Sequence, residues 1–380
     1  MPARRPLRPL VLISSLAPGG AERVTVSCLR RMMHEGRPVP LCTVTSRGDG
    51  PLARELEGAR VTRHDLGARR LADPAALLNL VRLLRREQYD LVHAHGQDAS
   101  ILATAASAFH PAPLVITRHV VTESRDGWRE QFRARATDSA VRRAAALIAV
   151  SNAAAHALCH SLGVAEERVR VIPNGVELER FATDDAVRWR TRKSLGLAAG
   201  DPMILVPAVL REGKGHDVIL DALPRIRAGM PRARILMAGA GPLECSLRER
   251  ARELGESVVF LGHRDDMPAL MAAADLVVLA SRNEALPTAL IEAAAAGRAV
   301  VSTRVGGVEE VVVHGTTGIL VPTGDPEAMA VAVIDLLLHE ERARRLGDAA
   351  RHRAVESFGI DAQVQRTWAV WEEVARRVAA

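Results

Sequence analysis

The chain has 380 residues, 48% apolar, 25% charged and only 3% aromatic, with 51 Lys and Arg against 45 Asp and Glu for a formal net charge of +6. That length suits two domains of ordinary size, and the composition is globular. With one tyrosine, five phenylalanines and four tryptophans, it lacks the stacked rings on which single-stranded RNA platforms and aromatic oligosaccharide clefts depend.

The charge is uneven: residues 1–175 carry 25 Lys and Arg against 16 Asp and Glu, the remainder 26 against 29. The basic half is the one suited to an anionic surface or acceptor, and no nucleic-acid motif accompanies it. Cys28, Cys42, Cys159 and Cys245 are scattered without a Cys-x-x-Cys, and read as reduced, mostly buried thiols of a cytoplasmic protein. No apolar run approaches the roughly 20 residues that span a bilayer. The N-terminal stretch puts arginines ahead of a short apolar run, but Ser14-Ser15 breaks that run and Pro18-Gly19-Gly20 follows it, so a first strand is expected rather than a signal peptide.

Strand and helix patterns alternate along the chain, which favours parallel sheets covered by helices on both faces. Residues 10–16 predict the first strand and Pro18-Gly19-Gly20 its turn, with Val24, Val26, Leu29 and Met33 on the helix that follows. Residues 39–45 predict a second strand, 77–86 a basic amphipathic helix, and 91–95 and 114–117 further central strands. Residues 127–143 are polar and helical, bearing Arg129, Arg133, Arg135, Arg142 and Arg143; residues 147–150 and 169–172 read as strands, with Ser151-Asn152 a helix cap between them. Pro173-Asn174-Gly175 punctuates the chain near its midpoint and marks the domain boundary. The second half begins its own alternation: strand 204–206, a helix from His216, strand 235–237, the turn Gly239-Ala240-Gly241-Pro242, strand 258–262 and a buried strand over 274–280. Residues 328–338 and 360–380 read as helices, and no tandem repeat of 20 to 50 residues is present.

The stretch 281–313 organises the rest. Pro287 suits the first turn of a helix ending at Gly297, and a helix start after a strand presents unpaired N–H groups and positive partial charge to an anion. Glu284 precedes that start, and Glu292 lies inside, set back by about 7 Å at the helical rise. Carboxylates accept from paired hydroxyls, so Glu292 suits a ribose and Glu284 a hexose on either side of a diphosphate. Lys214, held between Gly213 and Gly215 in a chain whose only other lysine is Lys193, is a point charge suited to a diphosphate leaving group. Gly19 and Gly20 let backbone N–H groups approach a phosphate. The Gly239-x-Gly241 turn has Glu244 where a dinucleotide fingerprint needs its third glycine, which argues against a nicotinamide enzyme.

The Glu-x7-Glu pair and Gly306-Gly307 stand in order with Val171-Ile172-Pro173-Asn174-Gly175-Val176, Lys214-Gly215-His216-Asp217, Ala238-Gly239-Ala240-Gly241-Pro242, Phe260-Leu261-Gly262 and Ala274-Asp275-Leu276. Over nearly the whole chain this resembles the large retaining glycosyltransferase family numbered four. The resemblance implies an α/β, GT-B fold: two Rossmann-like doubly wound domains facing across a cleft. Residues 1–175 with 360–380 form the acceptor side and residues 176–359 bind the nucleotide sugar. The closing helix crosses back to the first domain, with Trp368 and Trp371 as anchors.

The implied activity moves a hexosyl unit from a UDP- or GDP-sugar to a hydroxyl of a saccharide or lipid-linked acceptor, in surface polysaccharide, lipopolysaccharide or glycolipid synthesis. The implied catalytic set is His119, Lys214 and Glu284. The donor set is Gly19, Gly20, Arg211, Lys214, His263, Arg264, Glu284, Leu286, Pro287, Thr288 and Glu292. His119 is the family's sugar-contacting histidine, and His93 and His95 compete for the role. The turn at His263-Arg264 reads the base mainly through backbone groups. Asp265-Asp266 alone resembles a metal-binding acid pair and stands away from the diphosphate in the family, so no divalent metal and no cofactor are expected.

The match offers no carboxylate nucleophile for double displacement, which leaves front-face attack within two domains closed over the donor. Val209 stands where the family has a second cation, a loss of several kcal/mol of leaving-group stabilisation unless Arg211 replaces it. Failing that, an inactive sugar-nucleotide-binding partner is the alternative. The expected location is cytoplasmic, with the basic half allowing a peripheral position on the inner face of a membrane.

Overall fold

The computed structural model describes residues 6–17, 19–45, 51–69, 73–121, 127–198 and 200–379; Pro18 of the expected glycine turn and residues 1–5 lie outside them. The chain divides into two compact units, Met1–Asn174 with Ile360–Ala380, and Gly175–Gly359. Where it enters and leaves the second unit the two passages are paired, the Val176 N–H donating to Phe358 C=O at 2.9 Å.

Among the described residues of the first unit, seven strands form one parallel sheet: β1 (Pro9–Ile13), β2 (Leu41–Thr43), β3 (Arg63–Asp65), β4 (Leu91–His95), β5 (Leu114–Arg118), β6 (Ala146–Ala149) and β7 (Val169–Val171), in the order β3-β2-β1-β4-β5-β6-β7. The order reverses between β1 and β4, whose register pairs Ile13 with His95. A doubly wound sheet opens its ligand crevice at such a switch, beyond the carboxyl ends of the strands. The central strands are apolar on both faces because helices cover both, hence their unbroken burial.

The core joins Val11, Ile13, Leu29, Met32, Leu41, Leu91 and Ile148 to Val364, Val370, Trp371 and Val374 of the last helix, Ile360–Ala379. Trp371 is buried, and Arg37 lies over the Trp368 ring at 4.9 Å. Met32, not Met33, is the buried residue at the end of the first helix, three positions after Leu29.

Among the described residues of the second unit, β8 (Met203–Pro207), β9 (Arg234–Ala238), β10 (Val258–Gly262), β11 (Leu276–Leu279), β12 (Ala299–Thr303) and β13 (Ile319–Val321) form a parallel sheet in the order β10-β9-β8-β11-β12-β13. Its switch lies between β8 and β11. Gly239 and Gly241 are glycines because the turn after β9 lies on the chain after β8: a Cβ would come within 2.1 Å of Ala208 O or 2.3 Å of Leu210 O. The Gly-x-Gly is thus a packing device here.

Several elements differ from expectation. The strand expected over 274–280 is confined to Leu276–Leu279, and Pro287 is the N-cap of a helix that starts at Thr288 and ends at Ala295. Gly297 follows with φ +66°, the left-handed geometry that stops a helix. Pro74 at the first turn and the Asp73 cap start the basic helix three residues early, at Pro74–Glu87. Helices Pro51–Gly58, Gln97–Ala106, Asp185–Ser194 and Glu340–Ser357 and strand β3 were not foreseen. Of the cysteines only Cys42 is buried; Cys28 and Cys159 are half-buried and Cys245 is exposed.

Candidate active site

In the second unit the turn after β8 carries Lys214. Gly213 and Gly215 have φ +81° and +68°, and a Cβ on Gly215 would lie 1.9 Å from Ala280 O, so only glycine lets this turn lie against the end of β11. The Arg282 N–H donates to Gly213 C=O at 2.8 Å and fastens the two loops. The Arg282 guanidinium forks onto Asp217 at 3.0 and 2.6 Å and holds that carboxyl below its usual range.

The consequence is a charged pair 70 residues apart in sequence: Lys214 Nζ lies 2.5 Å from Glu284 Oε1, with side-chain exposures of 16% and 11%. Buried Ser281 donates its hydroxyl to the same carboxylate oxygen at 2.6 Å, and its carbonyl accepts from Thr303 Oγ1. The Gly307 N–H donates to Glu284 C=O at 3.0 Å, tying the Gly-Gly turn to this loop. Two donors on one oxygen fix the carboxylate.

Glu284 leads into the helix Thr288–Ala295. Leu286 and Pro287 are buried, Thr288 opens the helix, and no side chain caps it. Its first amides are therefore available to an anion. Half-buried Glu292 sits four residues beyond Thr288, about 6 Å along the axis. Behind the Lys214 turn, His216 is buried, and burial first, then Lys214, pushes its pKa down to about 4.

Arg211 is exposed in the same turn, its carbonyl accepting from the Lys214 N–H at 3.4 Å, and Val209 is half-buried against the Gly239 turn. In the turn after β10 the side chains pair with one another. Arg264 is committed to Asp266 through two bonds of 2.8 and 2.6 Å, and His263 Nε2 lies 3.2 Å from Asp265. The two aspartates thus face separate bases. Among the described residues no group of three or more His, Cys, Asp or Glu is arranged to hold a metal ion.

In the first unit Gly19 caps the helix Gly20–His34 at the end of β1. A Cβ on Gly19 would lie 2.3 Å from Glu22 Oε2. The helix's own acid therefore folds back over the turn that was expected to face a phosphate, and burial raises its pKa. Absence of a side chain at Gly19 leaves room for Glu22 in the unliganded turn.

His93 and His95 alternate on β4, and His119 follows β5. His93 is buried between Trp371 Nε1, 3.1 Å from its Nδ1, and Thr117 Oγ1, 2.7 Å from its Nε2, so both of its ring nitrogens are engaged. His95 Nδ1 lies 2.9 Å from His119 Nε2 and 3.3 Å from Thr25 Oγ1. A cavity of about 510 Å³ opens nearby in this unit, lined among others by Ser14, Thr45, Asp73, Leu77, Asp98 and Arg133; Arg133 donates to Asp98 at 2.6 Å.

Sequence reasoning missed Ser281, Thr25, Glu22 and the service His95 gives to His119. The only signal was the spacing of His93 and His95, two apart on a strand and hence on one face.

Two family profiles match: Glycosyl transferases group 1 over residues 187–353, and Glycosyltransferase Family 4 over residues 18–180. The GDP-mannose-dependent alpha-(1-6)-phosphatidylinositol monomannoside mannosyltransferase of Mycolicibacterium smegmatis is 36% identical over 199 residues, 49% of this chain and 52% of that protein. The D-inositol 3-phosphate glycosyltransferase of Jonesia denitrificans is 29% identical over 95% of this chain and 92% of its own. The chain thus spans about half of the first relative and most of the second. Among solved structures, Anabaena HepE in complex with UDP-glucose superposes with a TM-score of 0.84 at 24% identity, covering 98% of this chain and 99% of that one; at that identity the likeness speaks for the fold.

Proposed function

We propose a function from the premise that this chain belongs to the glycosyl transferases group 1 family, with its GT-B fold: it moves a hexosyl unit from a nucleoside-diphosphate sugar to an acceptor hydroxyl, with retention at the anomeric carbon and without a divalent metal. The observation that carries this reading is the Lys214–Glu284–Ser281 cluster at the foot of an uncapped helix, at the switch point of the second sheet.

A diphosphate at that helix start meets amide dipoles and the Lys214 cation, both of which gain strength as the leaving group takes on charge. Glu292, set back along the helix, accepts from the ribose hydroxyls, and Glu284 from the hexose. In the front-face route the bond from the anomeric carbon to the phosphate oxygen breaks as the bond to the acceptor oxygen forms. The acceptor proton passes to the departing phosphate. The chain's work is orientation and leaving-group stabilisation.

UDP- or GDP-sugars are the donors this reading takes: the relatives include a GDP-mannose-dependent enzyme and the structural neighbour holds UDP-glucose. The polar and apolar walls of the first unit's cavity suit a saccharide or lipid-linked acceptor, as in surface polysaccharide or glycolipid synthesis. Exposed Trp128 and Phe132, one helical turn apart beside Arg129, support contact of this unit with an anionic membrane surface.

A thermal-shift panel of NAD, UDP, GDP and their sugars tests the donor class, followed by product analysis by NMR for anomeric configuration in EDTA. Stabilisation by one nucleoside diphosphate and its sugar, with an axially retained product, is the expected result. Stabilisation by NAD alone, an inverted product, or transfer abolished by EDTA overturns the reading.

A further inference from the structure

The partners of His93, His95 and His119 assign the proton of each ring. Trp371 can only donate, so His93 Nδ1 accepts and its Nε2 carries the proton donated to Thr117. Thr25 directs its hydroxyl hydrogen to Ala21 C=O at 2.8 Å. Its oxygen is then an acceptor toward His95 Nδ1 at 3.3 Å, and the hydrogen of that contact belongs to His95. The same Nδ1–H points at His119 Nε2, 2.9 Å away. A nitrogen that accepts carries no proton, so neutral His119 keeps its hydrogen on Nδ1.

Burial favours the neutral forms throughout: it pushes His93 down to about 3 and His119 to about 4, and holds His95 well below its ordinary value. The chain of contacts runs from the last helix through Trp371 and His93, whose ring centroid lies 4.2 Å from that of His95. A cavity of about 20 Å³ among Thr25, His93, His95, Thr117, Gln363 and Thr367 has room for one water with several polar partners.

We propose that His95 is a positioning residue that locks His119 in the Nδ1–H tautomer, so that His119 offers a bound sugar one hydrogen-bond donor and cannot act as a general base. The inference rests on the glycosyltransferase reading only for the identity of the bound sugar; the tautomer stands on the geometry. His95 touches no substrate in this scheme. It acts through His119 alone.

The test is a long-range ¹⁵N–¹H correlation spectrum of the full chain with labelled histidine at pH 7.5, with His119 assigned from its lost signals in His119→Gln. Wild type should show His119 protonated on Nδ1 and bare on Nε2. His95→Ala should release it to the Nε2–H form or a mixture and lower kcat/KM by about tenfold, the worth of one hydrogen bond. His95→Asn, whose amide keeps a donor near the Nδ1 position, should restore the tautomer and most of the rate.

A wild-type His119 protonated on Nε2, or a tautomer unchanged in His95→Ala, overturns the proposal. Should His95→Ala fail to fold, the wild-type spectrum and His95→Asn decide alone. An Nδ1–H tautomer in a protein that transfers no sugar would sink the functional reading and leave this one intact.

Discussion

Replacing Lys214 by Met keeps the aliphatic stem and removes the cation from both of its tasks. In the unliganded protein it leaves the Glu284 carboxylate, 11% exposed, with the Ser281 hydroxyl but without its counter-ion. Breaking a fully buried ion pair costs about 3–5 kcal/mol; the residual exposure of this pair lets water screen part of that, and about 1–3 kcal/mol is expected here. For a unit of this size the loss corresponds to a fall in Tm of about 2–4 °C per kcal/mol. In the reaction the same substitution withdraws a charge from the leaving group, which should lower kcat by about 10²–10³. The two effects separate in Lys214→Met/Glu284→Gln, which removes both charges at similar shape. Stability should return to within about 1 kcal/mol of wild type, since the lone carboxylate is gone, while turnover stays low. Calorimetry and initial rates at saturating donor measure both. If the single and double variants melt alike, or if Lys214→Met turns over as wild type does, the pair is not the device described above.

Gly215→Ala should cost at least about 2 kcal/mol in urea titrations, because the new methyl meets Ala280 O at 1.9 Å in a left-handed backbone; a cost under half of that would show the turn can slide off β11. Trp371→Phe keeps an aromatic ring but strips His93 Nδ1 of its donor and leaves part of the indole's volume empty, and should destabilise by at least about 1–2 kcal/mol. A neutral result would mean a water replaces the indole N–H. The buried imidazoles set an acid limit. Burial pushes His93 down to about 3 and His119 and His216 to about 4, below the ordinary value of 6.5. Between those values the unfolded chain binds more protons, so their stabilisation is whole above pH 6.5 and drains as pH falls toward 4. Denaturant midpoints that hold constant over that window would contradict it.

The alternation of strand and helix, the turn that carries Lys214 and the loop from Glu284 into the Thr288 helix could be read from the chain, because each depends on local pattern: an apolar run, a glycine on either side, a proline before a helix. What could not be read depends on partners far away. That Lys214 and Glu284 neutralise one another is a contact across 70 residues, set by Gly215 sliding under Ala280. That His93 serves the core and His95 serves His119 requires Trp371, 278 residues on. Strand β3 has no apolar run to announce it: Arg63, His64 and Asp65 pair with β2 at the edge of the sheet, where one side meets solvent. The helix Glu340–Ser357 escaped for a similar reason, since its arginines and acids show little apolar stripe. Glu22, at the third helical position, reaches back over Gly19 at its own helix start, a side-chain orientation that the pattern of residues does not fix.

The last helix has a consequence for how the protein is made. Its Val364, Val370, Trp371 and Val374 complete the core of the unit that begins the chain, whereas the second unit is one uninterrupted segment. On the ribosome, the second unit can therefore finish folding while the first still waits with an open flank beneath His93. A fragment ending at Asn174 should bind hydrophobic dye and recover its native compactness only when a peptide of residues 360–380 is supplied.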